Sequence, residues 1–204
     1  TNDSHAIWKD INVNAGPECR EGKSLHRNIE ATEIANLLKK WLKADHEKKL
    51  TFGVISFYKA QVDVVNKELA NHDILVDEGK SNYEIHEDYQ APETADGQEE
   101  RIRVGTVDAF QGMEFDVVFL SVVRSCDVKK LTTQLAEEPD YQKKYRSRFG
   151  HLMSENRLCV SMSRQKKLLV VVGDSGLFTS QYGQEAVPAL GNFYELCQQQ
   201  GLVL

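Results

Sequence analysis

The chain is predicted to fold as an α/β domain on a largely parallel sheet, and three observations carry that prediction. Residues 102–107, 116–123 and 168–172 are runs rich in β-branched and aliphatic side chains, the composition of strands covered on both faces. Within residues 28–47, Ile34, Leu37, Leu38, Trp41 and Leu42 recur at i, i+3, i+4, i+7 and i+8, the apolar stripe of an amphipathic helix. Strand-like and helix-like segments alternate along the chain, as they do where helices cross over between parallel strands.

The elements follow in order. Residues 6–13 form a weak first strand, ended by the turn Asn14-Ala15-Gly16-Pro17, where Pro17 excludes a continuing central strand. The helix over 28–47 leads to a short buried strand at 51–57, and Val62, Val65 and Leu69 mark the next helix. Ile74-Leu75-Val76 has the composition of a further strand. Residues 78–100 are polar, acidic and without period, and read as a mobile loop. Two strands follow at 102–107 and 116–123. Residues 126–150 are polar with weak helical character, 153–166 read as one helix, 168–172 as a buried strand, and a last helix runs over about 192–200.

Composition bounds the function. A chain of 204 residues with 41% hydrophobic and 27% charged residues has room for a proper core. No apolar run approaches the ~18 residues needed to span a membrane, and nothing resembles a signal peptide. Cys19, Cys126, Cys159 and Cys197 are scattered without C-x-x-C spacing, so neither zinc nor disulfides are expected and the protein reads as reduced and intracellular, cytoplasmic or nuclear. The net charge of −6 is unevenly spread: residues 79–100 hold seven acids, whereas 143–167 hold eight Lys or Arg against one acid, Glu155. A local basic field of that kind attracts polyanions whatever the net charge.

One run is more informative than the rest: Val104-Gly105-Thr106-Val107-Asp108-Ala109-Phe110-Gln111-Gly112-Met113-Glu114-Phe115-Asp116. Gly112 lets backbone come close to a ligand. Gln111 and Glu114, at i and i+3, would share a face if the turn is helical. Gly22-Lys23-Ser24 also invites attention, but Gly16 and Gly22 are separated by five residues, where a phosphate-cradling loop needs four. Pro17 removes one of the N–H donors as well.

The run 104–116 resembles motif V of superfamily 1 helicases of the up-frameshift and senataxin type. Asn156-Arg157-Leu158-Cys159-Val160-Ser161-Met162-Ser163-Arg164-Gln165-Lys166 resembles their motif VI, and Gly53-Val54-Ile55-Ser56-Phe57-Tyr58-Lys59-Ala60-Gln61 is similar to motif IV. Ser24 and Arg27-Asn28-Ile29-Glu30-Ala31 give a shifted match to an "N-x-x-E-A" helix start. The resemblance covers roughly residues 6–182. It implies a three-layer RecA-like (P-loop NTPase-type) fold that lacks its own P-loop: one domain over 1–204, the second motor domain of a superfamily 1B helicase. A chain that begins with Thr1 is then expected to be a fragment of something longer.

The resemblance also implies roles. ATP and Mg²⁺ would be held mainly by an N-terminal RecA-like domain of the same polypeptide, and hydrolysis would require that domain. Arg164 would be the arginine finger. Gln111 and Gly112 would lie near the γ-phosphate and Glu114 near the ribose, with Tyr58, Gln61 and Arg157 as further nucleotide contacts. Arg157, seven residues before Arg164, would share its helix face. Thr106 and Ser56 would grip the backbone of single-stranded DNA or RNA. Val62 stands where up-frameshift relatives carry a second Arg, and Gln165-Lys166 where Ala-Arg is usual. These departures support the alternative, a catalytically inactive RecA-like module that binds nucleic acid or partners. A small-molecule kinase using Gly22-Lys23-Ser24 is a third reading.

Overall fold

In the computed structural model, which describes residues 5–92, 100–136 and 140–204, a six-stranded sheet is covered on both faces. Its strands are β1 (Ala6–Asp10), β4 (Phe52–Ser56), β7 (Ile102–Thr106), β8 (Phe115–Ser121), β9 (Gln165–Gly173) and β10 (Leu202–Val203). They lie in the order β10-β1-β9-β8-β4-β7, and every pairing is parallel. The predicted α/β class and parallel sheet are therefore present, in the three-layer arrangement of a RecA-like fold.

Period-two alternation sorts the strand side chains between two cores. Ile7, Phe52, Val54, Val117, Phe119, Val170 and Val172 face one layer, made by α1 (Asn28–Ala44) and α2 (Lys59–Asn71). Trp8, Ile55, Val118, Leu120, Leu169 and Val171 face the other. That second layer holds α3 (Val128–Ala136), α4 (Tyr141–Phe149), α5 (Glu155–Ser161), α6 (Ser175–Thr179), α7 (Gln181–Ala186) and α8 (Pro188–Gln200). The stripe foreseen on α1 buries Ile34, Leu38 and Leu42, and Trp41 stacks on Phe119 at 5.2 Å between ring centroids.

Four expectations are corrected. First, residues 75–85 form a hairpin, β5 (Leu75–Gly79) against β6 (Asn82–Ile85), where a loop had been expected from 78. Its turn residues Lys80 and Ser81 both have positive φ, as a tight hairpin turn requires; the acidic tract 93–99 lies outside the described residues. Second, the helix read over 153–166 is α5 alone, preceded by a 3-10 turn at Gly150–Met153, and residues 165–167 already belong to β9. Third, β7 is an edge strand with Arg103 and Val104 half-exposed, not a strand covered on both faces. Fourth, the first strand ends at Asp10, and the last helix starts at Pro188 after two short helices that the sequence did not suggest.

The connection from β7 to β8 is unusually short. Parallel neighbours need a crossover of a dozen or more residues, whereas here residues 107–114 pass across β4 without an α-helix. Glycine makes room for this: a Cβ on Gly53 would stand 2.8 Å from the Phe110 ring, and one on Gly105 would stand 3.1 Å from Ala109 Cβ.

Candidate functional site

After Thr106 the chain makes a 3-10 turn over Val107–Phe110 and then a β-turn from Phe110 to Met113, closed by Met113 N donating to Phe110 O at 3.2 Å. Gln111 has φ −60° and ψ 126°, and Gly112 has φ +78°. These are the dihedrals of a type II turn, whose third residue must tolerate positive φ. The turn is not helical, so Gln111 and Glu114 do not share a helix face; both are exposed, as is Gly112.

Arg164 sits in the loop between α5 and β9. Its Nε donates to Val160 O at 3.1 Å, Nη1 to Met113 O at 3.4 Å and Nη2 to Ser163 Oγ at 3.0 Å. Its own carbonyl accepts from Phe115 N at 2.9 Å, and Phe115 pairs with Gln165 at the start of β8 and β9. The motif V turn and Arg164 thus form one corner at the amino-terminal edge of the sheet. All three side-chain acceptors are neutral, and among the described residues no carboxylate pairs with this guanidinium.

Arg157 is elsewhere. Because α5 stops at Ser161, it does not share a helix face with Arg164; its Nη2 meets Asp108 Oδ2 at 2.8 Å instead. That contact ties α5 to the 3-10 turn after β7.

The remaining candidates lie at the opposite, carboxyl-terminal edge. Thr106 ends β7, half-exposed, and pairs in register with Ser56 at the end of β4. Ser56, expected to contact a strand, is 2% exposed and donates to Ser121 O. Gln61 is 0% exposed: Oε1 accepts from Arg27 N at 2.7 Å and Nε2 donates to Ser121 Oγ at 3.0 Å. In this structure Gln61, expected as a nucleotide contact, is engaged as an internal strut. Tyr58, expected as a nucleotide contact, is buried against the His151 ring at 5.6 Å, on the carboxyl edge and not with Arg164. Burial pushes its phenol up from the usual range.

A buried network behind these residues went unseen in the sequence. Arg27 and Glu30, both 0% exposed, meet at 3.3 Å. Arg27 also donates to the carbonyls of Gly16, Ile11 and Asn12. Glu30 accepts from Ser121 Oγ at 2.7 Å and Val123 N at 2.9 Å. Burial drives the Glu30 carboxyl up to about 7, against the pull of Arg27 and these donors. Val123 has φ +66°, rare for a β-branched residue, and Arg124 N reaches Val122 O at 2.6 Å across it. Arg124 then pairs with Glu18 at 3.3 Å. The one hint in the sequence was the shifted helix-start match at Arg27-Asn28-Ile29-Glu30-Ala31.

Gly22-Lys23-Ser24 is the turn of a second hairpin, β2 (Cys19–Glu21) with β3 (Ser24–His26), with Gly22 at φ +58°. Ser24 Oγ accepts from Ala60 N at 3.1 Å and so serves the start of α2. No strand-to-helix phosphate loop exists here, which removes the basis for the kinase reading. Among the described residues, no group of three or more His, Cys, Asp or Glu is gathered to hold a metal, and no helix is long and apolar enough to cross a membrane.

The model of the AAA_12 family, described as an AAA domain, matches residues 1–176. The chain belongs to this family. Its relatives include a Gallus gallus protein named "Putative helicase MOV-10", 26% identical over 73% of this chain and 12% of that protein. The helicase required for RNAi-mediated heterochromatin assembly 1 of Schizosaccharomyces pombe is 29% identical over 60% of this chain and 8% of its own length. The DNA polymerase alpha-associated DNA helicase A of Saccharomyces cerevisiae is 32% identical over 61% and 12%. This AAA domain therefore matches about a tenth of each relative's length. Together with motifs IV, V and VI, these matches make it a C-terminal domain of superfamily 1 helicase type. A solved C-terminal domain of a possible DNA helicase from Lactobacillus plantarum WCFS1 aligns over 93% of this chain and 84% of its own, with TM-score 0.41 and 14% identity.

Proposed function

We propose that this domain is the second motor domain of an ATP-driven translocase on single-stranded nucleic acid, working as one unit over residues 1–204 beside an N-terminal RecA-like domain that brings the P-loop and Mg²⁺. In the hydrolysis step, water attacks the γ-phosphorus and the bond to the β-phosphate oxygen breaks. Arg164 forks across the γ-phosphate oxygens as charge spreads onto them. Gln111 and the Gly112 backbone stand beside that phosphate, and Glu114 faces the ribose. Thr106, on the other edge, holds the strand backbone. Closure of the cleft on ATP and its reopening after hydrolysis move one edge relative to the other domain, which ratchets the strand. By resemblance the direction is 5′→3′.

One observation carries this reading: Arg164 is held by neutral oxygens alone, Val160 O and Ser163 Oγ on its own segment and Met113 O on the motif V turn, so its charge is oriented without being neutralised. A guanidinium in that condition is suited to a phosphate that arrives from outside the domain. Arg157, already paired with Asp108, is a brace in this reading and not a second finger.

The test is ATP turnover by the full-length polypeptide, with and without single-stranded DNA or RNA, for wild type and Arg164→Ala. Strand-stimulated turnover that drops by ~10³ or more on substitution is expected. Turnover indifferent to both strand and substitution would overturn the reading in favour of a binding module.

A further inference from the structure

The polar insertion between β8 and α5 ends in a cavity that no motif accounts for. It is open, about 500 Å³ in volume, and lined by Arg146, Gly150, His151, Met153 and Ser154. Clefts of several hundred cubic ångströms accommodate ligands of nucleotide size. Its place in the fold is set by Tyr58, which follows β4 and packs on His151. The cavity therefore opens at the carboxyl edge, where Thr106 also lies, and away from Arg164. Gly150 has φ +54° and ψ −125°, a conformation kept for glycine; a Cβ there would stand 3.1 Å from Tyr58 Oη.

The polar groups around this cavity lack partners of their own. Among the described residues, Arg146 pairs with no acid, although it is exposed at the end of α4. Ser154 is the N-cap residue of α5, yet its hydroxyl makes no capping bond, where a serine at that position ordinarily does. Tyr58 Oη is buried behind the cavity, beside Arg124 and the His151 backbone. A fork of N–H donors, a free hydroxyl and an exposed aromatic ring converge, and an anion with an attached flat group would satisfy all three.

We propose that this cavity takes one nucleotide of a bound single strand, its phosphate on the Arg146 guanidinium and its base against the His151 ring. The proposal rests on the strand-binding reading above and extends it to a segment outside the helicase motifs. The contact reads no sequence: guanidinium on phosphate is backbone recognition, and stacking accepts any base. It lengthens the grip that begins at Thr106 toward the insertion.

The experiment is fluorescence anisotropy of labelled oligo-dT and oligo-U titrated with the chain across a range of salt concentrations. Wild type, Arg146→Ala, Arg146→Lys, His151→Ala and, as a control on exposed α1 surface, Lys40→Ala are compared. Arg146→Ala is expected to weaken both oligonucleotides about tenfold and to reduce the slope of log affinity against log salt by about 0.7, one phosphate contact on a single strand. Arg146→Lys should restore the slope. His151→Ala should weaken binding at least fivefold with the slope kept, while Lys40→Ala changes neither. If wild type binds and Arg146→Ala leaves affinity and slope unchanged, the cavity proposal is overturned while strand binding stands. If wild type binds neither oligonucleotide, both fall together.

Discussion

Phe110 closes over Gly53, so close that a Cβ on that glycine would stand 2.8 Å from the ring. The two residues belong to different motifs, and their contact is what lets the β7-to-β8 connection cross β4 without a helix. Gly53→Ala is expected to destabilise the domain by about 1–3 kcal/mol through overpacking. Adding Phe110→Leu should recover part of that loss, because the pair is coupled. Urea unfolding of the two single variants and the double variant measures it; strictly additive effects would show that Phe110 is not what Gly53 makes room for.

Glu30 gives the stability of the domain a pH dependence of definite sign. Its carboxyl is raised from 4.5 to about 7 by burial. Below about pH 4.5 it is protonated in the folded and unfolded chain alike, and the native state keeps its full advantage. Between there and about 7 the unfolded chain loses the proton while the native one holds it, so stability falls as pH rises. The expected fall is on the order of 3 kcal/mol relative to Glu30→Gln, which cannot titrate. Chemical unfolding of both proteins from pH 4.5 to 7.5 checks this, and parallel curves would refute it.

Gly112 carries the positive φ of the type II turn. Gly112→Ala should cost about 1–2 kcal/mol of stability and displace Gln111 and Glu114, lowering ATP turnover in the full-length polypeptide. Gly112→Asn, which tolerates the left-handed region better, should be milder in both. Equal damage from Ala and Asn would mean that the backbone conformation is not the reason for glycine.

The Arg157–Asp108 pair is partly exposed, at 28% and 65%, and a double-mutant cycle on stability should return a coupling of only about 0.2–1 kcal/mol, weaker in high salt. Arg157→Ala should leave the KM for ATP nearly unchanged. A large rise in KM would restore Arg157 as a nucleotide contact.

These outcomes bear on what a sequence discloses. The sheet was legible because β-branched runs such as 116–123 are the signature of strands buried on both faces, and α1 because its stripe has a clear period. The hairpin at 75–85 escaped because its outer residues, Asp77, Glu78 and Lys80, are charged, and its turn is Lys80-Ser81 instead of a glycine-bearing pair. The helix read over 153–166 was too long because Gln165, Lys166 and Lys167 begin a strand at the sheet's rim, where polar residues are tolerated. Arg164 and the Gln111–Glu114 turn were legible as residue types in a known spacing. Solvent access was not: nothing in the string distinguishes half-exposed Thr106 from Ser56 or Gln61, which the fold turns inward to serve Arg27 and Ser121.

The eight residues from Val107 to Glu114 have one more consequence. From Thr106 to Phe115 the chain must descend about six residues of strand and move two strands sideways, roughly 22 Å at ~3.3 Å per residue and ~4.8 Å per strand. Four 3-10 steps at ~2 Å, a β-turn spanning under ~7 Å and two extended residues supply about the same length. In its folded-back form the connection just matches that span, although the same nine steps fully extended would reach about 30 Å. It leads from Thr106 at one rim to Met113 at the other, whose carbonyl accepts from Arg164. Two rims of one sheet, some 20 Å apart by that reckoning, are thus joined by a single short piece of chain with no helix in it.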